Sequence, residues 1–197
     1  MLPGAALLTT PEEADRHRVV TDAVHAEGGR ICLQILHAGR YAAHPGAVAP
    51  SPIQAPISPI TPRELTTAEV GETVADFARC AALAQAAGYD GVEIMGSEGY
   101  LINQFLVTRT NQRTDEWGGS YAARMRFPVE IVKAVRAKVG PNFIVVYRLS
   151  MLDLVEDGST LEEVVELAHA IENAGATMLN TGTVSYTHLT LPTIDSV

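Results

Sequence analysis

Two rhythms of apolar and polar residues alternate along the chain. "PEEADRHRVVTDAVHAEGG" (11–29) reads as a helix. Thr10 can cap it, Pro11 suits its first turn, Glu12 and Glu13 favour its start, and Gly28 and Gly29 stop it. "RICLQILHAG" (30–39) is a short apolar run with the length of a buried strand. "TTAEVGETVADFARCAALAQAAG" (66–88) is a second helix, capped by Thr66 or Thr67 and closed at Gly88. "YDGVEIM" (89–95) is a strand. "SYAARMRFPVEIVKAVRAKVG" (120–140) is a helix with Pro128 inside it. "NFIVVYRLS" (142–150), "TLEEVVELAHAIENAG" (160–175) and "ATMLNTG" (176–182) continue as strand, helix, strand. "GAALL" near the start reads as the remnant of a further strand.

The order is therefore α, β, α, β, α, β, α, β. Alternation with strands apolar on both faces implies a parallel sheet covered by helices. The fold class is α/β, and two architectures compete: a closed (β/α)8 barrel and an open doubly wound sheet. No GxGxxG or phosphate-loop motif follows any strand. Gln34, the turn 96–100, Arg148 and Asn180–Thr181 all fall at strand C-terminal ends, where both architectures build their sites. Four successive strands contributing to one ring of residues favour the barrel. A whole barrel needs about 250 residues and eight strands. The reading is a partial barrel of four to five βα units over residues 1–183.

Between the first strand and second helix lies "RYAAHPGAVAPSPIQAPISPITPREL" (40–65), a long proline-rich loop. A loop of that length usually covers a site.

Composition narrows the function. The net charge is −9, which argues against nucleic acid as the partner, because phosphate backbones need clustered Lys and Arg. There is no leader-like or membrane-length apolar run, so the reading is a cytoplasmic protein with no membrane partner. Cys32 and Cys80 have no metal or disulfide spacing and read as buried free thiols. Neither spacing nor partners suggest a metal at any histidine.

The stretch "GVEIMGSEGYLINQFL" (91–106) raises the chemical question. A buried strand ends by placing Glu98 and Tyr100 on a turn softened by Gly96 and Gly99. Taken alone, Tyr100 suits a core or interfacial role as well as a catalytic one. Glu98 suits a solvated turn acid, Gln34 an ordinary strand-end residue and Arg109 a solvated cation.

Four motifs in register change that balance: "LQILHAGR" (33–40), "GYLINQFL" (99–106), "RTDEWGGS" (113–120) and "RMRF" (124–127). Together they resemble the flavin-dependent Old Yellow Enzyme family, and within it the barrel domain of bacterial 2,4-dienoyl-CoA reductases. Most ene-reductases of the family hold the substrate carbonyl with a histidine pair, or His and Asn, before "GYL". Here Met95 and Glu98 occupy the corresponding positions, as in the dienoyl-CoA reductase branch, which shares "MGSEGYLIN". "VYRLSMLDLVEDG" (146–158) is similar to the same branch.

The resemblance implies FMN as cofactor, NADPH as reductant and an acyl-CoA or enone substrate. Arg148 would set a fixed cation against the flavin's electron-rich edge. Gln34 would donate and accept at the imide edge. Tyr100 would be the catalytic acid and Arg109 a substrate contact. His37 and Arg40 would line the flavin pocket or pin the loop, the structural role being preferred for Arg40. The resemblance also implies, in full-length members of the branch, FAD and an iron–sulfur cluster, whose binding segments are absent from this sequence, as is the FMN phosphate site near the last two strands, so this piece alone is expected to be inactive and to bind FMN weakly or not at all. A non-redox barrel lyase, a phosphate-binding barrel and a non-catalytic scaffold are the alternatives from other classes. Residues 184–197, "VSYTHLTLPTIDSV", break the family pattern and resemble a translated sequencing-library adapter, with no packed partner expected.

Overall fold

The computed structural model describes residues 7–182. Helix α1 (Pro11–Ala26) starts at a capping box in which Thr10 accepts from the Glu13 amide and the Glu13 carboxylate accepts from the Thr10 amide. Helices α2 (Thr67–Ala86) and α5 (Leu161–Asn173) begin the same way, on Thr66 with Glu69 and Thr160 with Glu163. Helix α4 (Tyr121–Val139) is capped by Ser120 and accommodates Pro128 in its interior. A short helix, α3 (Leu101–Leu106), was not anticipated. Six residues, all buried, give no polar face from which a helical period could be read.

The strands are β1 (Cys32–Ile35), β4 (Gly91–Gly96), β5 (Ile144–Ser150) and β6 (Met178–Gly182), with two-residue β2 (Val48–Ala49) and β3 (Arg63–Glu64) inside the proline-rich loop. β1, β4, β5 and β6 pair in parallel, in that order, in one sheet. Spatial order follows chain order with no reversal among the described residues. A doubly wound sheet would reverse at a switch point, so the topology is that of successive units of a barrel wall. Residues 4–6 of the expected first strand lie outside the described residues.

Register partners share a face of the sheet. One face carries Leu33, Val92 and Val145, then Ile35, Ile94, Tyr147 and Leu179. Val92, Ile94, Val145 and Tyr147 are fully buried and join one core with Phe77 and Ala81 of α2, Phe127 and Ile131 of α4, and Ile171 of α5. The opposite face carries Gln34, Glu93, Val146, Met95, Arg148 and Asn180. The second face is mixed, with buried Met95 and Val146 beside Gln34, Glu93, Arg148 and Asn180, so the expectation of two apolar faces holds only in part. The second face points into the barrel interior, where polar side chains meet each other.

That alternation also corrects the cysteines. Cys32 falls on the interior face of the edge strand and is exposed, while Cys80 is half-buried in α2. Burial pushes the Cys80 thiol up to about 11.

The proline-rich loop is a built structure. Arg63 N–H donates to the Ala47 carbonyl at 2.9 Å, and Leu65 N–H to that of Ala49 at 3.0 Å. Arg113, with its side chain only 3% exposed, pegs the middle and the far end of the loop. It donates to the carbonyls of Pro50 and Leu65 and forks onto Asp115. Among the described residues, no helix is long and apolar enough to cross a membrane.

Candidate active site

The interior face is organised by carboxylates. Glu93, in the middle of β4, receives Gln34 Nε2 on Oε1 and Asn180 Nδ2 on Oε2, each at 2.6 Å. Three strands of the sheet are thus joined through one side chain. One turn of pleat further along, Arg148 on β5 lies opposite Met95 of β4 and Asn180 of β6. Its Nε and Nη2 both donate to Oε1 of Glu98, at 2.9 and 2.7 Å.

Glu98 reaches Arg148 through an unusual backbone. Its φ is +61°, and Gly99 follows at +73°. A non-glycine residue in the left-handed region costs on the order of 1 kcal/mol or more. Here that conformation turns the chain back so that the carboxylate lies over β5. Gly96 is needed just before, because a Cβ there would come within 2.2 Å of Tyr147 Cζ. Glu98 is thus not a solvated turn acid; it is the counter-ion of Arg148, half-buried with it.

Tyr100 caps α3 with extended backbone, and its ring meets that of Tyr41 edge-on, with centroids 5.8 Å apart. Helix α3 itself is held by buried polar contacts. Asn103 accepts the Gly99 amide and donates to Asp153 at 3.0 Å, while Asp153 also accepts from Ser150 at 2.9 Å. Gln104 accepts the Arg40 amide and donates to the Gly99 carbonyl. The turn 96–100 is therefore fixed from α3, from the segment after β1 through Gln104, and from the loop after β5 at once.

Arg109 sits apart from the sheet. It is exposed and, with Arg40, Ile53, Gln54, Pro56 and Val155, lines a cavity of about 220 Å³ between the proline-rich loop and the loop after β5. Arg40 is buried, and Nη1 lies 3.5 Å from the Gln54 carbonyl, which agrees with a role in pinning the loop. His37 Nδ1 accepts the Gly39 amide, and burial holds this imidazole below its usual pKa, as a neutral ring.

The structure therefore places Gln34 and Arg148 on one face of the sheet, on either side of β4. Tyr100 lies on the turn that leaves β4, and Arg109 in a separate cavity that approaches it through Tyr41. Sequence reasoning missed Glu93. The signal was present: it is the one acid inside the strand "GVEIM", two residues from Met95 on the same face. Among the described residues, no group of three His, Cys, Asp or Glu side chains could hold a metal.

Gln34, Glu93, Arg148 and Asn180 share the interior face toward the strand C-terminal ends, the end at which barrel proteins build their sites. The chain belongs to the NADH:flavin oxidoreductase / NADH oxidase family, whose model matches residues 1–196. It is 42% identical over 167 residues to the NADH oxidase of Thermoanaerobacter brockii, covering 82% of this chain and 26% of that protein. Among solved structures, it superposes on morphinone reductase with a TM-score of 0.82 at 33% identity, covering 91% of this chain and 56% of the other. It superposes on a 2-naphthoyl-CoA reductase in complex with 2-naphthoyl-CoA with a TM-score of 0.81 at 34% identity, covering 89% of this chain and 30% of the other. The described residues are thus part of a barrel, and the chain spans a quarter to just over half of the length of such relatives.

The residues present fit the pyrimidine edge of a flavin. That edge offers an imide N–H between two carbonyl oxygens. Among the described residues, Gln34 keeps its carbonyl and one N–H uncommitted after serving Glu93, and Arg148 keeps Nη1 after serving Glu98. Segment 184–197 lies outside the described residues.

Proposed function

We propose that the chain supplies the flavin-facing strands of an FMN-dependent oxidoreductase that takes electrons from NADPH and reduces a conjugated enoyl thioester, as a 2,4-dienoyl-CoA reductase does. The observation that carries this reading is the Glu98–Arg148 pair. A carboxylate committed to an arginine cannot serve as the donor that holds a substrate carbonyl. Met95, buried on the same face, offers no donor either. The oxyanion clamp of the common ene-reductases therefore has no counterpart on this turn, and the substrate must be held elsewhere.

FMN, when bound, supplies hydride to the activated double bond. Arg148 would stabilise negative charge on the reduced cofactor's edge, and Gln34 would fix that edge in plane. Tyr100 would deliver the proton to the substrate carbon. A phenol is a weak acid near pH 7, so it needs a polarising partner in the complex. Arg109, lining its cavity with no ion-pair partner among the described residues, suits a phosphate of an acyl-CoA tail. The solved 2-naphthoyl-CoA reductase, in complex with 2-naphthoyl-CoA, is a relative with a CoA thioester bound. FAD and an iron–sulfur cluster belong to the same reading of the whole protein.

The second reading is an ene-reductase of the same family acting on another enone, which the relatedness to morphinone reductase favours. Anaerobic NADPH should bleach the flavin band of the protein, and the competing oxidants then discriminate. Rapid reoxidation by a 2,4-dienoyl-CoA and not by free cyclic enones supports the first reading. The reverse order supports the second. Absence of bound flavin from the full-length protein refutes both.

A further inference from the structure

We infer that Glu93 is a positioning residue whose carboxylate sets the orientation of two amide side chains toward the ligand face, that of Gln34 and that of Asn180. The inference rests on the flavin reading for its consequence, though not for its geometry. A carboxylate only accepts hydrogen bonds, so both amides must turn their NH₂ groups to it. Each oxygen of Glu93 takes one donor at 2.6 Å, short contacts of the charge-assisted kind. Both amide carbonyls are then left away from the carboxylate. No cation lies within ion-pair distance of Glu93 among the described residues, so these two amides are its stated partners.

The consequence is a fixed donor–acceptor polarity. An unrestrained glutamine amide has two orientations of similar energy, and one of them sets its NH₂ against an imide N–H. With Glu93 in place, Gln34 presents Oε1 to an N–H and its second Nε2 hydrogen to a neighbouring carbonyl. Asn180, one strand beyond β5, is held in the same sense. Spacing along the strands explains why one acid suffices: Gln34 is its direct register partner, and Asn180 reaches it diagonally across β5.

A glutamine at position 93 would keep size and remove polarity control. It can accept from one amide only, and its own NH₂ turns the other round. Two measurements test this. In the protein without flavin, the side-chain NH₂ resonances of both Gln34 and Asn180 in a ¹H–¹⁵N spectrum are expected to move together in E93Q and to return toward wild type in E93D. If neither moves, the contact does not exist and the inference fails, whatever the flavin does. In a flavin titration followed by fluorescence quenching, E93Q is expected to weaken FMN binding about tenfold, the scale of one charge-assisted hydrogen bond. In a Q34A/N180A background, the same change is expected to weaken it less than about threefold, because the residue acts through those two amides. An equal loss in both backgrounds overturns the positioning role. If the full-length wild type binds no FMN, the flavin reading falls while the resonance test still decides the amide claim.

Discussion

Arg148 gives two of its donors to a single oxygen of Glu98, and Glu98 holds a left-handed backbone conformation to receive them. The pair sets the strength of the cation that faces the proposed ligand. Glu98→Gln leaves the guanidinium un-neutralised. A reduced, anionic flavin beside it is then stabilised, so the two-electron potential should rise, by on the order of 30 mV if about 1.4 kcal/mol is released. Glu98→Gly should raise it similarly while also relieving the backbone. Spectroelectrochemical titration of the three proteins checks this, and an unchanged potential in both variants removes Glu98 from the site's electrostatics.

Asp115 makes the proline-rich loop sensitive to acid. Its hydrogen bonds from Arg113 are the main reason its pKa falls to about 2. A carboxyl whose folded pKa is lowered adds stability that is complete above its unfolded value near 4 and is lost as pH falls through the folded value. Stability should therefore decline between about pH 4 and pH 2, and D115N should flatten that part of the curve at the cost of lower stability near neutrality. Urea melts at a series of pH values measure both.

Arg113 itself should tolerate little change. Removing it leaves Asp115 and two carbonyls without their donor, and R113A is expected to cost about 3–5 kcal/mol. R113K keeps the charge but cannot fork onto Asp115 and both carbonyls together, and should recover less than half of the loss.

Tyr147 offers the opposite case. Its hydroxyl is fully buried with no hydrogen-bond partner among the described residues, and burial raises the phenol's pKa far above its ordinary value. Y147F should be neutral or stabilising by up to about 1 kcal/mol. G96A should cost at least about 1–3 kcal/mol, because the new methyl meets the Tyr147 ring. The double variant should not recover, since the conflict is with the ring carbon as much as with the hydroxyl.

Arg109 is tested by kinetics. Because it lies outside the sheet and lines the cavity under the proline-rich loop, R109A should raise KM for an acyl-CoA about tenfold and leave kcat within twofold. Equal KM values for the two proteins would return Arg109 to the solvated surface.

Much of the fold was legible. Helix starts on Thr10, Thr66, Thr160 and Ser120 follow local hydrogen-bond chemistry that four or five residues specify. The long apolar runs gave the parallel strands. What failed was local information of another kind. Two-residue β2 and β3 are too short to carry a period, and α3 is buried all round. Gln34 and Arg148 were readable as strand-end polar residues, and the structure sets them on one face. Glu98 was misjudged because its partner lies 50 residues away, and Glu93 was overlooked because β4 was read as apolar on both sides. Pairing across strands, which no single segment records, determined both.

Because one guanidinium clasps the chain at Pro50 and again at Leu65, the intervening stretch is a ring closed on itself. Ring length enters closure entropy only logarithmically, so doubling it costs roughly 0.6 kcal/mol. The stretch can be lengthened at its exposed tip, Pro56 and Ile57, while buried Ser51, Ala55 and Ser58 and the wall beneath keep their sequence.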